Sequence, residues 1–547
     1  MPCPHDALTC WASNGVVRRR FLERSGPPWG RGERALVGVL AAVAVSGVLV
    51  ATRHGMALSP DSVTYLSIAR NVAAGHGFVD FTGVAETTFP PGFPAMIALG
   101  KFMGLSLTSS ARAVNAGSFA LIVVLSWVLL RRHTSSRGVR VWALVLVACS
   151  PILLNVSAEA WSEPMFCVLV LAFVVVMEDV ARTAASRPWS VLSAGLIAGA
   201  SFLVRYVGVS LLVTGVIVCA TSPASMTIRR RVTRAAGFGL VAVALPVLWL
   251  VRNATSGSPY LLGPRVALPG IPWIVVRRFV TSAEPLVAPT NAPVVFAVCA
   301  IPVAVGVALG IVAARRRSRS INRRVPSGNL TPTAIFIVVY AIILLTAGKL
   351  SGASVDTRTV MPLYLPAILV VVGLVESARS VEPDQAATRF RHAGVRAVGT
   401  SAVACLSLVV VAFTTAAWND GRAARGYGSA TARPASVAQV VQHLDARALV
   451  VTNHAWTLYH ATGHEPIVPT PAPLYPSVSI VPATLDELGD QVCARPVYLA
   501  WFNHAALPDQ TPHLGDEVVL QPLTQRADGT LYKMVPAPSN TCTPEES

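Results

Sequence analysis

A succession of apolar runs constrains this chain more than any other feature: about eleven of them, each long enough to cross roughly 30 Å of hydrocarbon once tilt and short segments are allowed for. They fall at 35–51, 111–130, 139–154, 164–177, 190–204, 206–220, 236–251, 293–313, 333–348, 359–375 and 396–414. Backbone polar groups inside a bilayer must be satisfied within the segment, so such runs fold as a transmembrane helical bundle. Composition agrees, with 53% hydrophobic residues, only 13% charged and a mean hydropathy of +0.57, which is too apolar for a soluble globule. The break at Arg205-Tyr206 sets the sidedness of everything that follows it.

Charge supplies the orientation. The net charge of +17 is concentrated in short arginine clusters between apolar runs, the mark of cytoplasmic loops, and this excludes nucleic acid as a partner. With the tail before Ala35 placed inside, 26 of the 44 lysines and arginines fall on the cytoplasmic side, although the loops of the other side are longer in sum. The chain therefore divides into a basic cytoplasmic tail (1–34), a membrane portion (35–415) with a first outer loop (52–110), and an extracytoplasmic C-terminal domain (416–547). No cleavable leader precedes the first run, which reads as a retained anchor of a multi-pass protein of the cell membrane. Cys493 and Cys542 share the exported region, where an oxidising compartment favours a disulfide between them.

The outer pieces carry the polar detail. In the first outer loop a helical stretch follows Asp61, with Tyr65, Ile68, Ala69 and Val72 on one stripe, and Pro90, Pro91 and Pro94 then break regular structure. The C-terminal region alternates turn-rich stretches with strand-like runs at Ala448 to Thr452 and Val497 to Trp501, which predicts a small α/β domain. Asp61 has two readings: a carboxylate at the water-lipid boundary suited to taking a proton from an acceptor, or the N-cap of the helix after it. P-loop, HExxH, paired CxxC and glycine-rich dinucleotide patterns are lacking, so ATP-driven transport and zinc hydrolysis lose their usual signatures.

The order of motifs then resembles a known family. PDSVTYLSIARNVAAGHGF (Pro60 to Phe78), TTFPPGFP (Thr87 to Pro94), Ser162-Glu163-Pro164, Arg205-Tyr206, WLVRN (Trp249 to Asn253) and DTRTVMPLYLP (Asp356 to Pro366) together resemble the type C glycosyltransferases of GT-C fold. The bacterial branch similar to protein O-mannosyltransferases and aminoarabinose transferases is the nearer match. This resemblance implies transfer of a sugar from a polyprenyl phosphate carrier, with inversion, to an extracytoplasmic protein, lipid or wall glycan, at a site surrounded by membrane lipids. By position the family's acidic residue of the first outer loop is Asp61, as the base. It is followed by Ser62 where the family often has a second acid, which counts against a chelating pair but leaves room for a divalent cation.

Cations must hold the departing phosphate, and Arg358, Arg205, Lys349 and Arg252 all fall at outer ends of runs. The competing reading is that they snorkel to headgroups. Glu163 stands where the family often has an acid, and it equally suits a helix N-terminus. Glu86 is either a second acid of the site or a solvated glutamate. Tyr65 and His76 either line the sugar site or are a packed ring and a solvated imidazole. Two rivals stay open: a transporter or lipid flippase, and a non-catalytic scaffold of envelope assembly.

Overall fold

A computed structural model describes residues 29–258 apart from 82, 183–187 and 224, then 260–263, 275–282 apart from 280, 329–350, 355–379, 407–421, and 436–537 apart from 446, 453, 464–490, 503–517 and 527. Among these, seven helices are long and apolar enough to cross a membrane: Arg31–Ala51, Leu107–His133, Arg137–Ala158, Glu163–Arg182, Ile228–Ala254, Thr331–Gly348 and Thr357–Glu376. Two shorter apolar helices, Pro188–Val204 and Tyr206–Thr221, correspond to the runs at 190–204 and 206–220. The run at 293–313 lies outside the described residues, as does the first part of 396–414, whose remainder is helical over 407–421.

Local chemistry sets the helix ends. Thr52 closes Arg31–Ala51 by donating its hydroxyl to the Val48 carbonyl at 2.7 Å, and Ser106 caps Leu107–His133 by accepting from the Ser109 amide at 3.1 Å. Ser150-Pro151 interrupts the span Arg137–Ala158, with Ser150 as the cap and Pro151 in the first turn, where a missing N–H costs nothing. At the break expected from the sequence the chain reverses: Arg205 is extended (φ −151°, ψ 134°) between Pro188–Val204 and a single 3₁₀ turn at Tyr206–Gly208. Pro188–Val204 also lies close against Ile228–Ala254. A Cβ on Gly195 would stand 3.0 Å from the Phe238 carbonyl oxygen, and one on Gly199 2.8 Å from that of Ala242, the small-residue contact by which membrane helices approach.

One end of the bundle is an ionic layer. Glu33 faces Arg131 at 3.9 Å and Arg140 at 3.8 Å, and the fully buried Glu178 gathers Arg132 (3.4 Å), His133 (2.5 Å) and Arg182 (3.3 Å). Two arginines and a histidine share the buried Glu178 carboxylate, which is what keeps it tolerable away from water, while Glu33 is partly exposed.

At the opposite end stands the first outer loop. The loop helix Pro60–Ala73 is capped by Ser59, whose hydroxyl accepts from the Ser62 amide at 3.3 Å. Asp61 is thus not the N-cap. Of its expected stripe, Tyr65, Ile68 and Ala69 are buried, at 3%, 1% and 0% exposure, and Val72 is half-buried against the cluster that holds Tyr65 and Ala69. The prolines act differently from expectation, for Gly92–Phe102 forms a helix immediately after Pro91, with Pro94 in its first turn. Proline there forfeits no internal hydrogen bond and supplies the right φ, so the segment starts a helix and does not break one.

The two strand-like runs form strands, Leu449–Thr452 (β1) and Val497–Phe502 (β2), paired in parallel. With Val518–Arg526 (β3) and Gly529–Pro536 (β4) they make a four-stranded sheet of order β1-β2-β4-β3, antiparallel beyond β2. The helix Ala455–Thr462 follows β1 and ends at Gly463, whose φ of +74° is the left-handed C-terminal turn that glycine adopts without strain. This helix reaches back to the first loop: Ala455, Trp456 and Tyr459 form one buried cluster with Val63 and Phe81. Tyr459 stacks on Phe81 with ring centroids 4.9 Å apart and accepts a hydrogen bond from Arg70 at 3.1 Å. Cys493 is disulfide-bonded, while Cys542, its expected partner, lies outside the described residues.

Candidate active site

Three separate motifs converge above the bundle. Asp61 is presented by the first turn of the loop helix, Glu163 by the first residue of Glu163–Arg182, and Arg358 by the short helix Thr357–Val360. Arg358 Nη1 lies 2.6 Å from Asp61 Oδ2, and its Nε lies 3.2 Å from Asp356 Oδ2 and 3.9 Å from Glu163 Oε1. Arg205, held at the chain reversal, approaches Glu163 Oε1 at 2.6 Å and donates to Ser162 Oγ at 3.1 Å. Three carboxylates and two guanidiniums thus form one branched network centred on Arg358, in which each charge meets the opposite sign. Its members differ in exposure: the Glu163 side chain is 1% accessible, against 18% for Asp61 and 20% for Arg358.

A cavity of about 730 Å³ opens on the accessible part of this cluster. Its lining is polar at Ser59, Asp61, Asn155, Trp161, Asp356, Arg358 and Asp420, and apolar at Pro151, Ile152, Val156 and Ala416. The Arg358 guanidinium lies over the Trp161 ring at 4.7 Å, and Trp161 Nε1 donates to Ser59 Oγ at 2.8 Å. Ser59 therefore caps the loop helix and fixes the indole at once. Such a site has a cation for an anionic group, a carboxylate one side chain away, and apolar side chains that suit a lipid tail.

Not every expected site residue faces this cavity. Tyr65 is packed between Phe89 and Phe93, at 4.7 and 5.2 Å, and its hydroxyl meets Ser162 Oγ at 3.2 Å. Burial pushes its phenol well above the ordinary value, so it remains a neutral hydroxyl. Arg205 and Glu163 sit behind Arg358 and do not line the cavity. His76 is exposed. Lys349 lies near the end of the helix Thr331–Leu350, and its side chain falls outside the described residues.

Arg252 and Glu86 belong to a second assembly that fastens the loop. Arg252 donates to the carbonyls of Glu86 (2.7 Å) and Phe78 (2.5 Å) and lies over the Trp249 ring at 4.9 Å. Trp249 Nε1 in turn donates to the Tyr206 hydroxyl at 3.0 Å, which donates to the Thr87 carbonyl at 2.7 Å. Glu86 is 1% exposed, and its Oε1 accepts from the Thr88 and Phe89 amides. Burial, with the nearby Asp80 charge adding to it, raises the Glu86 carboxyl to about 7.

This shift predicts a pH dependence. Below its ordinary value of 4.5 the group is protonated in folded and unfolded chains alike. As pH rises from there toward 7 the unfolded chain ionises first, so stability falls by about 3 kcal/mol across that window. Melting curves of wild type and Glu86→Gln should therefore converge near pH 4.5, and the wild-type loss between pH 5 and 7.5 should be absent from the variant. Equal slopes would refute the assignment.

Sequence reasoning missed Asp356 and Trp161. Asp356 carried a readable signal, since Asp-x-x-Thr spells a capping box, and the structure forms it: Asp356 Oδ1 accepts from the Thr359 amide at 2.9 Å and Thr359 Oγ1 from the Asp356 amide at 3.0 Å. Trp161 has no comparable signal. The donor set does not suit a divalent cation: Asp61 and Asp356 both turn to a guanidinium, and among the described residues no three His, Cys, Asp or Glu side chains converge at ligand distance.

No family model and no curated protein sequence matches the chain. Solved structures do. ArnT from Cupriavidus metallidurans bound to undecaprenyl phosphate aligns with a TM-score of 0.58 at 13% identity, over 91% of this chain and 97% of that one. Its apo state aligns with a TM-score of 0.57 at 14% identity, over 91% and 98%. The arabinofuranosyltransferase AftD from Mycobacteria aligns with a TM-score of 0.55 at 16% identity, over 93% of this chain and 40% of the larger AftD chain. The chain is thus built on the GT-C fold that membrane glycosyltransferases such as ArnT and AftD share.

Proposed function

We propose that the protein is a membrane glycosyltransferase that moves a sugar from a polyprenyl phosphate carrier to an acceptor outside the cytoplasmic membrane. The observation that carries this reading is the pairing of Asp61 with Arg358 in a cavity lined in part by apolar side chains, on this fold. Asp61 takes the acceptor hydroxyl proton as the acceptor oxygen bonds to the anomeric carbon. The bond from that carbon to the phosphate oxygen breaks on the opposite face, and the phosphate leaves with the electron pair, its charge met by Arg358. The anomeric centre inverts. Arg205 and Glu163 act from behind, fixing where Arg358 stands.

Orientation follows from charge. The arginine-rich layer of Arg131, Arg132, Arg140 and Arg182 lies at the end of the bundle away from Asp61, which suits a cytoplasmic N-terminus with the cavity and the sheet outside. The test is mass spectrometry of envelope glycans, glycolipids and glycoproteins from cells with and without the chain. Loss of one sugar substituent is expected, and it would name donor and acceptor together; identical profiles would reject the proposal.

A further inference from the structure

Arg358 is claimed from several sides. Asp356 holds its Nε from a fixed place, because the same carboxylate is locked into the capping box at the start of Thr357–Val360. Trp161 covers one face of the guanidinium at 4.7 Å. The Nη1 edge is occupied by Asp61 Oδ2 at 2.6 Å, and Arg358 and Asp61 both line the cavity. A carrier phosphate needing that edge therefore meets it already taken, by the group the transferase reading uses as the base.

We propose that Asp61 and the carrier phosphate compete for Arg358, so that donor binding is the event that frees the base, with Asp356 as the positioning residue that keeps the guanidinium in place during the exchange. This rests on the transferase reading above. Phosphate oxygens match the guanidinium fork in a two-point contact, which lets them take the place that Asp61 Oδ2 holds at 2.6 Å. Once the phosphate sits on Nη1, Asp61 Oδ2 faces the cavity and the acceptor hydroxyl. Binding order follows: the acceptor is activated only where a donor already waits, so the base does not act on an empty site.

The test is equilibrium binding of undecaprenyl phosphate, the carrier without its sugar, to the full chain in detergent, read by native mass spectrometry. Asp61→Asn is expected to bind the carrier about five- to tenfold more tightly than wild type, and the same substitution in an Arg358→Gln background is expected to change nothing. Asp356→Asn should weaken binding in both the wild-type and Asp61→Asn chains. Unchanged or weaker binding by Asp61→Asn overturns the inference, as does a gain that persists without Arg358, since that would be general charge repulsion. Should Asp61→Asn not fold, Asp61→Ser makes the same comparison at this partly exposed position. A folded wild type that takes up no carrier at all would instead sink the donor reading itself, which separates the two failures.

Discussion

Asp61→Asn is expected to lose sugar transfer by about 10²- to 10⁴-fold, the usual worth of a positioned general base. The amide keeps the size and the hydrogen-bond acceptor of the carboxylate but accepts no proton. Its structural cost is small, because the amide oxygen still accepts from Arg358 and the guanidinium keeps two carboxylates beside it, Asp356 at 3.2 Å and Glu163 at 3.9 Å. Melting temperature should therefore stay close to wild type while turnover in proteoliposomes collapses. Retained turnover would remove Asp61 from the mechanism, and wild type without turnover on any lipid-linked sugar would favour a scaffold that keeps the fold alone.

Arg205→Ala is expected to have the opposite signature, a large loss of stability. It strands Glu163, which is 1% exposed and whose Oε2 accepts no hydrogen bond among the described residues. Removing one partner of a buried pair costs about 3–5 kcal/mol, because the other charge is left without compensation. Arg358 Nε, 3.9 Å from the same carboxylate, places the loss at the lower end of that range. Melting in detergent measures it, and the double variant Arg205→Leu with Glu163→Leu should recover most of the loss, since two apolar side chains replace two buried charges. A single variant that melts with wild type would show that the Arg205–Glu163 pair does not hold the fold together.

The bundle was legible because hydrocarbon imposes length and polarity on each span, and the reversal at Arg205-Tyr206 was legible because a charge interrupts an otherwise unbroken run. The nearness of Asp61 and Arg358 was suggested by the order of motifs alone. Which side-chain oxygen caps the loop helix was not readable: Ser59 and Asp61 are both favourable caps, and geometry two residues apart decides between them. Arg252 misled for another reason. Its partners are the main-chain carbonyls of Phe78 and Glu86, groups every residue has, so no pattern of side chains announces such a clamp. Trp161 under Arg358 is equally silent, since 197 positions separate them in sequence while 4.7 Å separates them in space.

The contact between Arg70 and Tyr459 joins residues 389 positions apart. A ribosome that has just completed the loop helix must finish every remaining span before Trp456 and Tyr459 exist to cover Val63 and Phe81. Until then the segment bearing Asp61 lacks its lid of aromatic rings, and closing so long a loop is the slow step that high contact order imposes. Completion of the candidate site is therefore expected among the last events in biogenesis, and truncation ahead of Trp456 should leave a segment encoded near the beginning of the chain without its cover.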